Sequence, residues 1–241
     1  MASADNLRQF RNEVSLRLSK GKHVVLCGPL GSGKSTMIKE IYKQISTTGM
    51  PCALWPATSS LDDITRAFSA AYPHVNTDAT RRGARSRLWI SADQRRGVLI
   101  FDHVTRVTNA MVGYLRRLRG GVAGVLLCFD VETDSRRLQI RSRHLHHVFL
   151  RMPIGSPQRL RKLFRRGCAG LSMPRIPREA ERQIIVTARG RVGWIACCTR
   201  LISHEQYWNG DKLYTTLLCV DTELALQQRS LDFKLTEVEL E

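Results

Sequence analysis

Acidic residues are scarce in this sequence, since 21 Asp and Glu stand against 38 Lys and Arg and leave a formal net charge of +17 over 241 residues. A charge of this size repels other copies of the chain and attracts polyanions. Nucleic acid is therefore the first partner that we expect. The alternative is a surface enriched in arginine without any polyanionic partner, and composition alone leaves both interpretations open.

Long apolar runs are also missing, and none approaches the roughly 20 residues needed to span a bilayer. No amphipathic helix has the apolar face that a membrane surface requires, and no signal peptide is recognisable at the start of the chain. The 7 cysteines include no CxxC pair and no metal-ligand spacing. We therefore expect a cytoplasmic protein with reduced thiols and no membrane partner.

Short apolar runs alternate with helical patterns in the first part of the chain. Runs such as HVVLC, GVLIFD and GVLLCFD suit buried parallel strands. The alternation predicts βαβ units, hence an α/β fold with a parallel sheet covered by helices on both faces. Beyond the boundary near Pro153 we expect helices alone, at about 156–168, 177–189, 192–205 and 211–227. The predicted organisation is an N-terminal helix (1–20), an α/β domain (21–153), a smaller α-helical domain (154–236) and a short acidic tail (237–241).

The stretch GPLGSGKS, residues 28–35, follows an apolar run and precedes a helical pattern. It matches the P-loop motif GxxxxGK(S/T) in the strand, turn and helix context that the motif requires. The glycines let successive backbone N–H groups face phosphate oxygens, Lys34 reaches the β and γ phosphates, and Ser35 binds magnesium. A chance match in a glycine-rich turn is the alternative. The motif predicts a bound nucleoside triphosphate with Mg²⁺.

A second acidic group is expected at the metal, at the end of another buried strand. Asp102 ends the run VLIFD and is our candidate. The next residue, His103, stands where hydrolysing P-loop proteins of the additional-strand class usually have Glu. It is a candidate base because imidazole accepts a proton near neutral pH, or else a polar residue that leaves hydrolysis slow. Cys128 and Asp130 close a later run, either as sensors of the γ phosphate or as core and cap residues.

Arginines concentrate in RRGARSRLWISADQRR, between the second and third predicted strands. Neither a base-reading motif nor interleaved aromatic residues accompany them, which predicts contacts to phosphate rather than readout of sequence. A second group at the end of the next helix exceeds what the helix C-terminus alone would explain. The candidate DNA-binding residues are Arg81, Arg82, Arg85, Arg95, Arg96, Arg116, Arg117 and Arg119.

With GPLGSGKS, GVLIFDH, GVLLCFD, IRSRHLHHVFLRMP and ARGRVGWIACCTRL in this order, the chain resembles the AAA+ ATPases. It is most similar to DNA-transposition regulators of the TnsC, TniB and MuB kind, with ExeA and origin-binding initiators as relatives. The resemblance implies a RecA-like αβα domain followed by a helical lid. It also implies that ATP binding assembles a homo-oligomer, a ring or helical filament, around double-stranded DNA, where it recruits or activates a transposase or targeting protein.

The resemblance further implies roles for single residues. Arg141 or Arg143 would reach the nucleotide of a neighbouring subunit, although such a basic run is also typical of a solvated or DNA-facing surface. Ser35 and Asp102 would hold Mg²⁺, and His103 would make hydrolysis slow. A signalling switch of the STAND sort, with little hydrolysis, is the alternative function and leaves the charge unexplained. ATP would be held by Gly28, Pro29, Gly31, Ser32, Gly33, Lys34, Ser35, Thr36 and Arg191.

Overall fold

The structure, a computed structural model, describes residues 4–56, 60–72, 97–104, 108–118, 123–130 and 148–235. The chain divides into two compact units. The sheet unit comprises Arg8–Gly28 and the described residues of Lys34–Met152. The helical unit comprises the chain up to Leu7, the short segment Pro29–Gly33 and the chain from Pro153 onward.

The sheet unit alternates strands with helices. All five strands described are parallel, in the order β2-β3-β4-β1-β5. The α/β fold with a parallel sheet, predicted from the alternation of apolar runs and helical patterns, is confirmed. The elements are α1 (Ala4–Ser19), of which the part from Arg8 onward belongs to this unit, β1 (Val24–Gly28), α2 (Lys34–Ser46), β2 (Cys52–Trp55), α3 (Leu61–Ala71), β3 (Gly97–Phe101), α4 (Asn109–Leu118), β4 (Ala123–Asp130) and β5 (Val148–Arg151).

The strands coincide with the apolar runs because a parallel sheet covered on both faces buries every side chain of a central strand. β3 is buried along its whole length, and its residue Leu99 has no exposed surface. The core around it also contains Phe68 from α3 and Leu115 from α4, both fully buried. Burial of these side chains is the main stabilising contribution to this unit.

The register of the sheet brings particular residues to one edge. Gly28 at the end of β1 pairs with Asp130 at the end of β4. On the other side of β4, Phe101 pairs with Leu127, and Asp102 follows directly. Parallel strands end at the same edge of a sheet, and ligands of open α/β sheets bind outside these carboxyl ends. A ligand site is therefore expected at the edge formed by the carboxyl ends of β1, β3 and β4.

The helical unit contains four helices and a short strand pair among its described residues. Its core includes Phe164, Trp194 and Tyr207, each at most 1% exposed. The expectation of helices alone is wrong in one place, because two strands of two residues each pair antiparallel through a turn with Gly210 at φ 59°. The elements are α5 (Pro157–Cys168), α6 (Arg178–Ala188), α7 (Val192–Leu201), a 3₁₀ turn (Glu205–Tyr207), β6 (Trp208–Asn209), β7 (Lys212–Leu213) and α8 (Thr215–Leu235).

Candidate functional site

The predicted phosphate-binding loop connects β1 to α2. Gly31 and Gly33 have φ of 76° and 93°, in the left-handed region that glycine adopts without steric cost. α2 begins at Lys34 and has no acidic residue in its first turn. The N–H groups of a first helical turn have no partner within the helix, and together with the helix dipole they attract anions. Strand, glycine turn and helix follow one another as the motif requires.

Lys34 is buried in the sheet unit, with 5% of its surface exposed. Its ammonium group donates to the carbonyl oxygen of Gly28 at 2.8 Å and lies 2.6 Å from Oδ1 of Asp130. A buried ammonium is stable only when oxygens replace its lost hydration. Lys34 and Asp130 thus form an ion pair at the edge of the sheet, positioned by the pairing of β1 with β4.

Asp130 carries the negative charge of this ion pair. Burial alone would raise its pKa, but hydrogen bonding with His103 and the charge and hydrogen bond of Lys34 outweigh burial and lower the pKa to about 2. The carboxylate is therefore fully ionised at neutral pH. The sequence left Asp130 open between a sensor and a helix cap, and neither interpretation anticipated its contact with Lys34.

His103 lies between Asp130 and Ser35. Its Nδ1 is 3.6 Å from Oδ2 of Asp130, and its Nε2 is 3.3 Å from Oγ of Ser35. Its backbone has φ 45°, which is uncommon outside glycine, and its N–H donates to Oδ1 of Asp102 at 2.9 Å. Interaction with Asp130 raises the pKa of His103 against the opposing effect of burial, and the charge of Asp102 adds to the increase.

Asp102 and Ser35, the predicted magnesium ligands, come together at the same histidine. Oδ2 of Asp102 is 3.9 Å from Nε2 of His103, the nitrogen that Ser35 also approaches. Asp102 is 6% exposed, at the end of β3. A carboxylate and a hydroxyl are ligands of the kind that Mg²⁺ accepts, with phosphate and water completing its shell. The residues present fit a magnesium ion.

The loop residues Pro29–Gly33 group with the helical unit. The carbonyl oxygen of Gly31 accepts a hydrogen bond from the N–H of Gly193 at 2.7 Å. Ser32 is 2% exposed, and among the described residues its hydroxyl has no hydrogen-bond partner. Thr36, in the first turn of α2, is exposed. A role for these residues in nucleotide binding stays a prediction.

Arg191 is 8% exposed and lies directly before α7. Its guanidinium donates to both carboxylate oxygens of Glu223 in α8, at 2.9 and 2.8 Å. The indole N–H of Trp194 donates to the same carboxylate at 2.9 Å. The hydrogen bonds from Arg191 lower the pKa of Glu223. The described contacts of Arg191 are thus with the helical unit, and its predicted contact with nucleotide is untested.

The side chains of the remaining predicted arginines lie outside the described part of the structure. Arg116 and Arg117 belong to α4, but only the backbone of that part of the helix is described. The others lie outside the described residues, namely Arg81, Arg82, Arg85, Arg95, Arg96, Arg119, Arg141 and Arg143. Their predicted contacts with DNA and with a neighbouring nucleotide stay predictions.

Residues 16–140 match the family described as AAA domain. In structure the chain is similar to AMPPCP-bound DnaA from Aquifex aeolicus, with a TM-score of 0.52 and 14% identity over 85% of this chain and 64% of that one. It is also similar to Cdc6p from Pyrobaculum aerophilum, with a TM-score of 0.56 and 11% identity over 83% and 60%. For the Orc1 protein of Aeropyrum pernix in complex with DNA, the TM-score is 0.50 and the identity 16% over 91% and 64%.

At these identities the structural likeness shows the fold alone, and the chain spans less than two thirds of the length of these three proteins. No curated protein is significantly similar to the chain in sequence. None of the helices in the described part of the chain is both long and apolar enough to cross a bilayer.

Proposed function

The chain belongs to the AAA domain family, and from this premise we propose that it binds ATP and assembles on duplex DNA while ATP is bound. The observation that carries the proposal is the P-loop at the end of β1. Its glycines at positive φ and the start of α2 at Lys34 support a bound triphosphate, because such loops direct backbone N–H groups at phosphate. The solved structure of DnaA with AMPPCP, a nucleotide analogue, supports the choice of ligand.

In this proposal Lys34 exchanges one anion for another. Its ammonium contacts Asp130 at 2.6 Å, and the β and γ phosphates take over that contact when nucleotide binds. Ser35 and Asp102 hold Mg²⁺, which when bound neutralises phosphate charge. Asp130 then keeps His103 as its cationic or hydrogen-bonding neighbour. Asp130 therefore competes with the phosphates for Lys34.

The proposed hydrolysis is slow and depends on His103. Asp130 lies on the Nδ1 side of the ring at 3.6 Å, which favours the tautomer with its proton on Nδ1 and leaves Nε2 to accept a proton from water. Nε2 is also the nitrogen near Ser35, at 3.3 Å. In this proposal Nε2 accepts a proton only when the ring is neutral and no longer bonded to the Ser35 hydroxyl, and both conditions keep hydrolysis slow.

The charge supports DNA as the partner. A net charge of +17 would keep identical subunits apart unless a polyanion neutralised them, and duplex DNA does so along its whole length. The likeness to an Orc1 protein in complex with DNA agrees with this choice. In the proposal the arginines from Arg81 to Arg96 and from Arg116 to Arg119 contact phosphates, and Arg141 or Arg143 reaches the nucleotide of the next subunit.

The proposed assembly is a ring or helical filament that recruits or activates a partner, in our proposal a transposase, in the cytoplasm. The proposed domains are the N-terminal helix, the nucleotide-binding α/β domain and a helical lid after Pro153.

The second candidate function is a nucleotide-dependent signalling switch. It is favoured by His103, which stands where a hydrolysing enzyme has Glu. It predicts that nucleotide binds without any effect of DNA.

Electron microscopy of the purified chain with duplex DNA and a non-hydrolysable ATP analogue tests the assembly. Rings or filaments that require both the analogue and DNA are expected, and the same sample without nucleotide is the control. Monomers in every condition, together with tight nucleotide binding, would reject the assembly and leave the switch.

The phosphate contacts are tested by the salt dependence of DNA affinity. We expect log K to fall steeply with log salt concentration, by about 0.9 per neutralised phosphate. Changing Arg81, Arg82 and Arg85 to Gln should make the slope shallower by up to about 3, whereas the exposed Arg178 and Arg182 of α6 serve as control positions. If the slope does not change when Arg81, Arg82 and Arg85 are replaced by Gln, these arginines do not contact phosphates and this part of the proposal is wrong.

A further inference from the structure

The P-loop is held at its apex by the first turn of α7. The N–H of Gly193 donates to the carbonyl oxygen of Gly31 at 2.7 Å. α7 begins at Val192, and Arg191 before it provides no side-chain cap. Gly193 is thus the second residue of the helix, and its N–H is one of the four that no carbonyl within the helix can satisfy. The carbonyl oxygen of Gly31 therefore accepts one of the free N–H groups at the start of α7.

The close contact favours glycine at Gly193, and the φ of 76° favours it at Gly31. A Cβ added to Gly193 would lie 2.9 Å from the carbonyl oxygen of Gly31 and 3.2 Å from its Cα. A Cβ added to Gly31 would lie 3.1 Å from the backbone nitrogen of Trp194 and 3.2 Å from Cδ1 of Leu226 in α8. Next to this contact, Leu30 packs against the core of the helical unit. The loop apex therefore packs closely against α7 and α8.

The start of α7 is itself fixed to α8. Arg191 donates to both oxygens of the Glu223 carboxylate, and its Nε and backbone N–H both donate to the carbonyl oxygen of Ala188, at 3.2 and 2.8 Å. The Trp194 indole donates to the same carboxylate, and Trp194 is fully buried. Bidentate pairs of this kind fix geometry as well as charge. Glu223 thus fixes the residues on both sides of Gly193, the one that contacts the P-loop.

We propose that Arg191 and Glu223 are positioning residues for nucleotide binding: their ion pair fixes the first turn of α7 so that Gly193 holds Gly31 in the phosphate-binding conformation. Arg191 acts from this position rather than by touching phosphate. The inference rests on the proposed nucleotide binding. Because coupling between two sites is reciprocal, nucleotide on the loop must in turn stabilise the contact between α7 and α8.

Amide hydrogen exchange of Gly193 measures the contact directly, since Gly31 is the acceptor for this N–H. In the full chain without nucleotide, Glu223→Gln should speed exchange at Gly193 by about tenfold or more, the effect of losing a charge-assisted hydrogen bond. The matched control is Glu181→Gln, which removes another bidentate pair of the helical unit, with Arg165 at 2.9 and 3.1 Å on the exposed surface. The control should leave exchange at Gly193 unchanged.

The second measurement is the affinity for a fluorescent ATP analogue with Mg²⁺. Both Glu223→Gln and Gly193→Ala should weaken binding by about tenfold, and saturating analogue should slow exchange at Gly193 in the wild type. Gly113→Ala is the control for the glycine, because a Cβ there meets nothing within 4 Å. Nucleotide also slows exchange at amides that open only by global unfolding, so the slowing at Gly193 should exceed that at the buried Ile184 of α6, and this excess separates positioning from folding.

The outcomes separate the inference from the proposed function. Two results would overturn the inference while nucleotide binding stands. The first is wild-type nucleotide affinity in both Glu223→Gln and Gly193→Ala. The second is an exchange rate at Gly193 that changes neither in Glu223→Gln nor on addition of nucleotide. A wild-type chain that binds no nucleotide would instead contradict the proposed function. In that case faster exchange at Gly193 in Glu223→Gln would still support the contact, and unchanged exchange would reject it.

Discussion

Replacing Asp130 by Asn removes the carboxylate that faces Lys34 at 2.6 Å, and we expect it to lower the free energy of unfolding by about 2 kcal/mol near pH 7. The magnitude follows from the pKa of Asp130, which is lowered from its ordinary value of 3.8 to about 2. Each pKa unit corresponds to about 1.4 kcal/mol. Asn keeps the shape of the side chain, and Lys34 keeps the carbonyl oxygen of Gly28, so the loss of charge is the main change.

The effect has a defined pH dependence. A carboxyl whose pKa is lower in the folded state stabilises fully above its unfolded pKa, and this contribution disappears as the pH falls through its folded pKa. The contribution of the carboxylate to the difference between wild type and Asp130→Asn should therefore be complete at about pH 5 and fall to roughly half near pH 3. Because Asp130 also raises the pKa of His103, the difference should decrease as well when the pH rises through the folded-state pKa of His103. Urea unfolding at these pH values measures it, with the exposed Asp211→Asn as control.

The same variant should bind nucleotide more tightly although it is less stable, because the phosphates no longer compete with Asp130 for Lys34. Titration with an ATP analogue measures this second effect. An affinity that falls together with stability, or a stability difference that does not change with pH, would refute the exchange of partners at Lys34.

Two further predictions concern the fold. Ser60 caps α3 by accepting from the N–H of Asp63 at 3.2 Å, so Ser60→Ala should cost about 1 kcal/mol in thermal unfolding. Ser69→Ala in the same helix is its control and should cost almost nothing, because the Ser69 hydroxyl donates only to the Thr65 carbonyl oxygen one turn back and alanine favours the helix interior. Leu99 is fully buried in β3, and Leu99→Ala should cost about 2 to 5 kcal/mol by urea unfolding. Leu224→Ala, at a half-exposed leucine, is its control. An equal loss of unfolding free energy in the two variants would contradict the assignment of Leu99 to the core.

The architecture could be predicted where burial leaves a pattern in the sequence. Continuous apolar runs identified β1, β3 and β4 because strands buried on both faces need them. The pair β6–β7 was missed because strands of two residues are too short to show periodicity, although Asn209-Gly210 is a known hairpin signal. Because this hairpin and the turn before it occupy the chain, α7 ends at Leu201 and α8 begins at Thr215 rather than at the predicted positions.

The site could be predicted only as far as motifs reach along the chain. The P-loop and Asp102 were found because glycine spacing and a strand end are local features. The contact of Lys34 with Asp130 depends on β4 lying beside β1, and strand order leaves no local pattern. The pairing of Arg191 with Glu223, 32 residues apart, depends on helix packing in the same way. Arg191 alone therefore suggested a ligand contact, which stays a prediction, and its ion pair with Glu223 is the basis for the positioning role that we propose.

Whether nucleotide on the P-loop drives assembly on DNA is tested most directly by DNA binding of Lys34→Ala with and without an ATP analogue. Lys39→Ala is the matched control, because Lys39 lies in the same helix with an exposed side chain. We predict that the analogue strengthens duplex binding in the wild type and in Lys39→Ala and has no effect in Lys34→Ala. Binding of Lys34→Ala to DNA that the analogue still strengthens would contradict the account.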